Sequence, residues 1–422
     1  MRFEFIYTPY PNIRDALRDL EEKLKKIDFE PNLGIFFLVG DLINHYKEFS
    51  KLLRCKTICM PIEGYITPKA VWMRGALLLL LDAKCDVYCF KGSTKRVCKG
   101  LRDLKTYNFY LLIYPVFYFS GRLQALNALI REKIYYRSYR KGNEIALKKF
   151  SDLLEDKIVY PMNKILRPIR DKGANAIAFN IFPLKFKYGY PIALNGENIG
   201  RGLIAVCFKE KVKSYYEDTL PERGKSFEET IEILKNELGI SKIVEVNKRG
   251  VAVGHVNGLK AVEFVLKERG ITALKRDVKE DLDRDRFMPA TPYCLVFISN
   301  ETFGASLLGI LEYPVGIYPC LYDLDVFSPY ASFTAHETVK GGIKELERFF
   351  DKDYNLFVID QYYMLMYREN IVKFRKFIGN NYGIFTSHTS YTSQSLHHRF
   401  MTEVEDKICI NTTRTISFMK FQ

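Results

Sequence analysis

Short apolar runs alternate along the chain with amphipathic segments, and their order repeats. The clearest copy lies near the N-terminus, where apolar runs at 31–40, 56–60 and 75–81 accompany an amphipathic segment at 41–53. Apolar runs of this length are typical of buried strands, and apolar residues spaced three and four apart are typical of a helix. The pattern therefore predicts a strand, a helix, a strand, a loop and a final strand.

Two further copies follow the same order. One lies between 107 and 208 and carries a long helical insertion, and the other lies between 354 and 419, with its helix predicted at 367–378. Each copy has an asparagine directly before the first apolar residue of its first predicted strand, at Asn32, Asn108 and Asn355. Strand–helix–strand units join parallel strands, and the strand after the loop can return antiparallel. The predicted fold class is α/β (α+β), with two modules of mixed β-sheets flanked by helices and built from these repeated units.

A segment rich in charged side chains divides the chain. It contains a helix signature, a capping box formed by Ser226 and Glu229. The predicted domains are an N-terminal module at 1–208, a charged connector with one helix at 209–249, and a C-terminal module at 250–422.

The composition indicates a cytoplasmic protein with archaeal-like residue usage of the kind found in hyperthermophiles. Lys, Glu and Ile are plentiful and the chain has 28 tyrosines. The purest apolar run, at 75–81, is far shorter than the roughly 20 residues that cross a bilayer. The first residues lack the apolar centre of a signal peptide. Nine scattered cysteines predict neither a disulfide framework nor a metal site.

A net charge of +14 supports a nucleic-acid hypothesis. The most basic segment is 131–149, and its candidate contacts are Arg131, Lys133, Arg137, Arg140 and Lys141. Tyr135, Tyr136 and Tyr139 interleave with them, as a base-stacking surface requires. The alternative is a helix face exposed to water, since lysine-rich surfaces often have this pattern.

The predicted loop that follows the strand at 382–386 is rich in hydroxyl groups and contains one of only six histidines. Its candidate ligand-binding residues are Ser387, His388, Ser390 and Tyr391. Hydroxyl-rich loops at strand ends supply donors and acceptors on a rigid scaffold. A polar turn whose hydroxyls satisfy the local backbone is the equal alternative. A hydrolase is the least favoured hypothesis, because a Gly-x-Ser-x-Gly elbow is absent.

The order of these segments resembles the FIST (F-box and intracellular signal transduction) sensory domains, which have paired N- and C-terminal modules. The similar segments are 31–66, 75–81, 188–208, 256–270 and 383–419. The resemblance implies sensing by small-molecule binding in the loops after the second strand of each module. In the N-terminal module these positions are Glu63, Gly64 and Tyr65; in the C-terminal module Asn411 and Thr413, on the final strand, join the loop residues. Tyr65 and Tyr391 stand where the family has an acidic residue, which argues against a cationic or amino-acid-like ligand.

The resulting hypothesis is a non-catalytic sensory protein that binds a small molecule and relays the signal by contact with a signalling protein. The alternatives are a protein-interaction platform and a nucleic-acid-binding protein. Some members of the resembled family bind haem, but no residue here matches a haem ligand, so no cofactor is predicted. The sequence identifies neither the ligand nor the partner.

Overall fold

A computed structural model describes most of the N-terminal half of the chain and separate parts of the C-terminal half. The described residues are 1–182, 188–218, 225–238, 242–260, 263–264, 267, 293–298, 303–306, 316–326, 330–335, 347, 349–351, 353–360, 376, 378–386, 388–392, 408–410 and 415–422. The predicted helix at 367–378 lies almost entirely outside them.

Three structural units follow one another along the chain. The first contains β1 (Arg2–Thr8), α1 (Ile13–Leu24), β2 (Leu33–Val39), a 3-10 helix (Gly40–His45), α2 (Tyr46–Lys51), β3 (Lys56–Ile62), β4 (Gly64–Ile66), β5 (Val71–Trp72) and β6 (Ala76–Asp82). The second contains β7 (Cys85–Lys91), α3 (Thr94–Asp103), β8 (Phe109–Pro115), α4 (Arg122–Arg140), α5 (Ile145–Lys157), α6 (Met162–Arg170), β9 (Asn175–Ile181), β10 (Ala193–Leu194), β11 (Glu197–Asn198) and β12 (Gly202–Phe208).

The third unit is interrupted by an inserted domain. The unit itself consists of β13 (Val212–Asp218), β21 (Leu356–Asp360), β22 (Tyr382–Thr386), β23 (His388–Thr392), β24 (Ile408–Ile410) and β25 (Thr415–Phe421). The inserted domain contains α7 (Phe227–Leu238), β14 (Lys242–Arg249), β15 (Ala252–Val256), β16 (Leu259–Lys260), β17 (Tyr293–Ile298), β18 (Phe303–Ser306), β19 (Tyr318–Pro319), a 3-10 helix (Leu324–Val326) and β20 (Tyr330–Ala335). The predicted connector at 209–249 thus supplies β13 to one sheet and β14 to another, and its predicted helix is α7.

The sheets of the three units have the same strand order. Each sheet begins with an outer strand (β1, β7 or β13), followed by the last strand of the repeat (β6, β12 or β25). Next come the first strand of the repeat (β2, β8 or β21) and the second (β3, β9 or β22), and a hairpin from another unit completes the sheet. The full orders are β1-β6-β2-β3-β10-β11, β7-β12-β8-β9-β23-β24 and β13-β25-β21-β22-β4-β5. The first and second strands are parallel, and the last strand is antiparallel to the first. These pairings confirm the predicted mixed sheets and the repeated unit.

The exchange of hairpins among the units is cyclic. Hairpin β4–β5 of the first unit pairs with the sheet of the third unit. Hairpin β10–β11 of the second unit pairs with the sheet of the first unit, and hairpin β23–β24 of the third unit pairs with the sheet of the second unit. The prediction of a loop directly after β22 was therefore wrong, because 388–392 forms a strand beside β9. Its alternating pattern of small polar residues fits a strand as well as a loop, and only the neighbouring strand from another unit decides between them.

The three asparagines before the first strands have one structural role. In each unit the Asn side chain hydrogen-bonds the backbone at the end of the last strand, so that it ties the first and last strands together. The bonds join Asn32 with Ala83, Asn108 with Lys209, and Asn355 with Phe421. The short asparagine motif in the sequence is therefore a mark of the structural repeat.

One face of each of the three sheets packs into a shared apolar core. Ile35, Ile177 and Val358 represent the three sheets in this core, and all three are fully buried. The opposite face of the first sheet is covered by α1 and the 40–51 helices, and that of the second sheet by α3, α5 and α6. These helices therefore lie on the faces of the first two sheets that point away from the shared core.

The inserted domain forms a fourth sheet, in the order β16-β15-β14-β20-β17-β18, and it packs against the helices of the second unit. The backbone N–H of Val251 donates to the Ser151 hydroxyl at 2.9 Å, and the Asn163 side chain bonds both backbone groups of Asp323 at 2.9 Å. Because these groups are buried and hydrogen-bonded, they fix the position of the inserted domain against α5 and α6.

Candidate functional site

The cyclic exchange places one residue of each hairpin at an equivalent position. In each case this residue pairs with the third residue of a second strand: Tyr65 with Ile384, Leu194 with Ile58, and Tyr391 with Ile177. Each position lies at a junction between two units. The three junctions are therefore directly comparable, and they differ in what fills them.

The first junction is filled by aromatic side chains. Tyr65 is fully buried, and its hydroxyl donates to the Thr8 carbonyl at 2.8 Å. The Trp72 ring, directly across the hairpin, stacks with its centroid 6.5 Å from that of Tyr65, and Tyr7 lies 6.3 Å away. Burial raises the pKa of Tyr65 well above its usual value. This tyrosine is therefore a neutral core residue and has no free polar group to offer a ligand.

The third junction is also filled by a tyrosine. The Tyr391 side chain is 2% exposed, and its hydroxyl lies 3.0 Å from the Ser214 carbonyl and 3.1 Å from the Ser214 hydroxyl. Its ring stacks on Tyr216 with a centroid distance of 5.7 Å. Tyr391 thus connects the exchanged hairpin to the outer strand β13.

The second junction is open. It has Leu194 in place of the tyrosine and Glu197, directly across the hairpin, in place of Trp72. With these smaller or more polar side chains, a cleft of about 700 Å³ remains between β7, α3 and the β10–β11 hairpin. The lining residues are Cys89, Phe90, Lys91, Arg96, Lys99, Gly100, Asp103, Leu194, Asn195, Glu197 and Ile199.

Cations predominate among the charged groups of the cleft. Lys91, Arg96 and Lys99 are exposed, and none of them forms an ion pair with another described residue. Asp103 and Glu197 are the two acidic residues of the lining. The cleft therefore has an excess of positive charge, which favours a negatively charged molecule.

The walls of the cleft are closely packed and hydrogen-bonded. α3 lies directly on Phe90, since a Cβ atom at Gly100 would come within 2.4 Å of the Phe90 ring. On the other wall Asn195 and Gly196 form a tight turn with φ values of 52° and 78°. The backbone and side chain of Asn195 bond the Thr57 backbone at 2.8 and 2.9 Å. The packing of the fold thus holds both walls of the cleft in place, and a bound molecule would require little further ordering of them.

The lining offers binding groups and no reactive pair. Burial raises the pKa of the Cys89 thiol, so this thiol is neutral near pH 7. The lining contains no histidine that would act as its base. Within the described part of the chain, no three His, Cys, Asp or Glu side chains converge as metal ligands would. The same part contains no helix with the length and apolarity to span a bilayer.

Comparison with known proteins now gives the family. Residues 228–339 match the model of the AF0772-like protein C-terminal domain. An uncharacterized protein of Archaeoglobus fulgidus is 36% identical over 363 residues, which make up 85% of this chain and 99% of the archaeal protein. This chain belongs to the AF0772-like family. The matched C-terminal domain of the AF0772-like family corresponds to the inserted domain, and the resemblance to FIST domains stays a prediction.

The predicted ligand residues of this AF0772-like chain are spread over the two filled junctions. Gly64 and Tyr65 are buried in β4, and the Glu63 backbone N–H donates to the Phe385 carbonyl. His388, Ser390 and Tyr391 lie on β23. Ser387, Asn411 and Thr413 lie outside the described residues. The structure therefore places Tyr65 and Tyr391 at equivalent positions but at different junctions, so they do not share one site.

Sequence reasoning missed the cleft of the AF0772-like chain. Lys91, Arg96 and Lys99 are ordinary surface cations in the sequence, and the hairpin at 193–198 is too short to stand out. The signal lies in a comparison of the three repeats, because only the second hairpin lacks an aromatic residue at the equivalent position. That comparison requires the pairing register, which the sequence alone does not supply.

The basic segment of the AF0772-like chain is part of α4 and α5, and its candidate nucleic-acid contacts are all exposed: Arg131, Lys133, Arg137, Arg140 and Lys141. Its tyrosines are not a free stacking surface, because Tyr139 is 6% exposed and lies 4.8 Å from His255. Tyr136 lies against Gly316, with the Lys260 ammonium 5.3 Å from its ring centroid. Nucleic-acid binding stays a prediction, but it would depend on charge alone.

Proposed function

We propose that the cleft at the second junction binds a small negatively charged molecule, with carboxylate or phosphate groups, and that the protein acts as a non-catalytic sensor. The open position at Leu194 is the observation that carries this proposal, since tyrosines fill the same position in the other two junctions. A cleft of about 700 Å³ is within the usual size of small-molecule sites. Cytoplasmic location and relay to a signalling protein belong to the same proposal.

A sensory role fits the chemistry of the lining better than catalysis does. Three cations can orient an anion by charge and hydrogen bonds, as guanidinium and ammonium groups commonly do. A hydrolase would need a nucleophile with a base within hydrogen-bond reach, and the cleft lining offers a neutral thiol without one. Binding without turnover is therefore the proposed activity.

The first test is the loss of anion binding when the cations are removed. In the triple variant Lys91→Ala, Arg96→Ala, Lys99→Ala we expect the affinity for a polyanionic probe, inorganic tripolyphosphate, to fall about 10–100-fold, since each exposed charge pair contributes up to about 1 kcal/mol. Isothermal titration calorimetry at low and high salt measures the change. Native mass spectrometry of the purified wild type identifies any ligand carried from the cell.

The matched control changes three exposed lysines of the second unit that neither line the cleft nor lie on α3, at Lys141, Lys148 and Lys149. This control has the same net charge as the triple variant, so it should bind tripolyphosphate like the wild type. A second variant, Leu194→Tyr, should close the cleft and weaken binding while all three cations remain. Equal loss in the control and the triple variant would show that only the net charge matters, and the cleft proposal would then be wrong.

A further inference from the structure

A second surface of the protein, on α4, has a row of exposed apolar side chains. Leu123, Leu126, Ile130 and Ile134 are 85%, 55%, 50% and 53% exposed. Their spacing of three, four and four residues places them in one row along the helix, about 16 Å long. Single exposed apolar residues are common, but four in one row on one helix form a patch that a binding partner would cover.

The opposite face of α4 is firmly held, so the apolar row cannot turn inward. The Glu132 carboxylate is 3% exposed and accepts hydrogen bonds from the backbone N–H groups of Gly316 and Ile317 at 2.6 and 2.8 Å. Two turns further on, Tyr139 packs on His255 of the inserted domain. The outward orientation of the row is therefore a property of the fold.

The row is surrounded by positive charge. Arg122, Arg131, Lys133 and Arg137 flank or continue it, all are exposed, and none forms an ion pair with another described residue. Glu132 is the one acidic residue of the helix sequence, and it is buried on the other face. The exposed face of α4 thus combines an apolar row with cations alone.

The charge decides which occupant fits. A second copy of this chain would bring the same cations face to face in a two-fold contact, which is unfavourable. Helices that bind a lipid surface have a broad apolar face with Trp or Phe. This row covers an arc of only about 80° around the helix axis and contains only aliphatic side chains. A narrow row with this spacing is instead the seam along which a second helix packs.

We infer that the outer face of α4 is a docking surface for an amphipathic helix of a partner protein, one that carries Asp and Glu on both sides of an apolar row. The apolar row of the partner packs along Leu126 and Ile130, and its carboxylates pair with Arg131, Lys133 and Arg137. This inference is independent of the cleft, because it depends on a different element and different residues.

The test measures binding of synthetic helical peptides of about 18 residues by fluorescence anisotropy on the full chain. The acidic probe has a leucine row flanked by glutamates, and its control has lysines in place of the glutamates. We expect the acidic peptide to bind at least about tenfold more tightly than the lysine peptide, with an affinity that falls as salt rises. Equal binding of both peptides would overturn the inference.

Two matched variants locate the site. Leu126→Ser with Ile130→Ser should abolish binding of the acidic peptide, whereas Ile145→Ser, an equally exposed isoleucine on α5, should leave it unchanged. Loss of binding in the Ile145 variant alone would place the site elsewhere. A large drop in the melting temperature of the double variant would show that the chain itself covers the row.

Two further measurements address the other occupants. Sedimentation of the wild type that shows a dimer, lost in the double variant, would identify a second copy as the occupant and overturn the inference. Binding of the wild type, but not of the double variant, to vesicles of phosphatidylcholine and phosphatidylserine would identify a lipid surface as the occupant. That result would also overturn the inference. A protein that is monomeric, does not bind the vesicles and binds the acidic peptide supports the inference.

Discussion

Alanine in place of Tyr65 is expected to lower the free energy of unfolding by about 3–5 kcal/mol, the usual range for removal of a large buried aromatic ring. The ring is fully buried between Trp72 and Tyr7, and its hydroxyl bonds the Thr8 carbonyl. Tyr65→Phe keeps the ring and loses only the hydrogen bond, so its cost should be about 1–2 kcal/mol. Urea denaturation followed by circular dichroism measures both changes.

The matched control is Leu194→Ala, at the equivalent position of the open junction. Leu194 is half-buried, so this change should cost much less than Tyr65→Ala. Tyr391→Ala should behave like Tyr65→Ala, because Tyr391 is 2% exposed and bonded to Ser214. If the two tyrosine variants melted like the wild type, their rings would have no structural role, and the original hypothesis of a ligand-binding function would regain support.

Alanine in place of Glu132 is expected to lower the free energy of unfolding by about 2–6 kcal/mol. The change removes the acceptor of two buried backbone N–H groups, those of Gly316 and Ile317, and each unsatisfied donor costs about 1–3 kcal/mol. Glu132→Gln keeps an oxygen acceptor at the same place and should cost at most about 1 kcal/mol near pH 7. Denaturation curves of the three proteins provide the comparison.

The same carboxylate predicts a dependence on pH. Burial raises the pKa of Glu132 above its ordinary value of 4.5, although the two N–H bonds and nearby lysines oppose the change. A raised pKa in the folded state means that this group supports folding below about pH 4.5 and loses that contribution as the pH rises. We therefore expect the melting temperature of Glu132→Gln, relative to that of the wild type, to increase as the pH is raised from 4 to 8. A constant difference across this range would contradict the assignment.

The repeat explains how one chain can combine two closed junctions with one open junction. Three units share one core and exchange hairpins in a cycle, so each junction is formed by side chains from two units. Two junctions are closed by a tyrosine and stabilise the chain. The second junction, with Leu194, is free of that role, and its open volume is the feature on which the proposed ligand site depends.

Much of the fold was predictable from particular residues. The apolar runs predicted β2, β3 and β6 because each is long enough to be a buried strand; β2 is buried throughout, and β3 and β6 are buried except at or near their ends. Asparagine is a favoured N-cap residue type, and the Asn12 side chain accepts the Asp15 N–H at 2.9 Å at the start of α1. Ser226 likewise caps α7, accepting the Glu229 N–H at 3.1 Å. Local hydrogen bonding and hydrophobic periodicity decide such features within a few residues of chain.

The candidate site was not predictable in the same way. A short polar strand such as β23 has no apolar pattern of its own, and it becomes a strand because β9 offers a free edge to it. The hydroxyl-rich segment resembled a loop for that reason. Likewise, the tyrosines at 65 and 391 gave no sign of burial in the sequence, because tyrosine is common both in cores and at binding surfaces.

The sequence by itself determined the three repeated units, their mixed sheets and the asparagine at the start of each, since these depend on interactions within a short stretch of chain. Only the tertiary structure decided which unit receives each hairpin, which junction stays open and which face of α4 points outward. These features join residues far apart in the chain, such as Tyr65 with Ile384 and Glu132 with Gly316. Pairing of that kind depends on the register and shape of surfaces that exist only once the units have assembled.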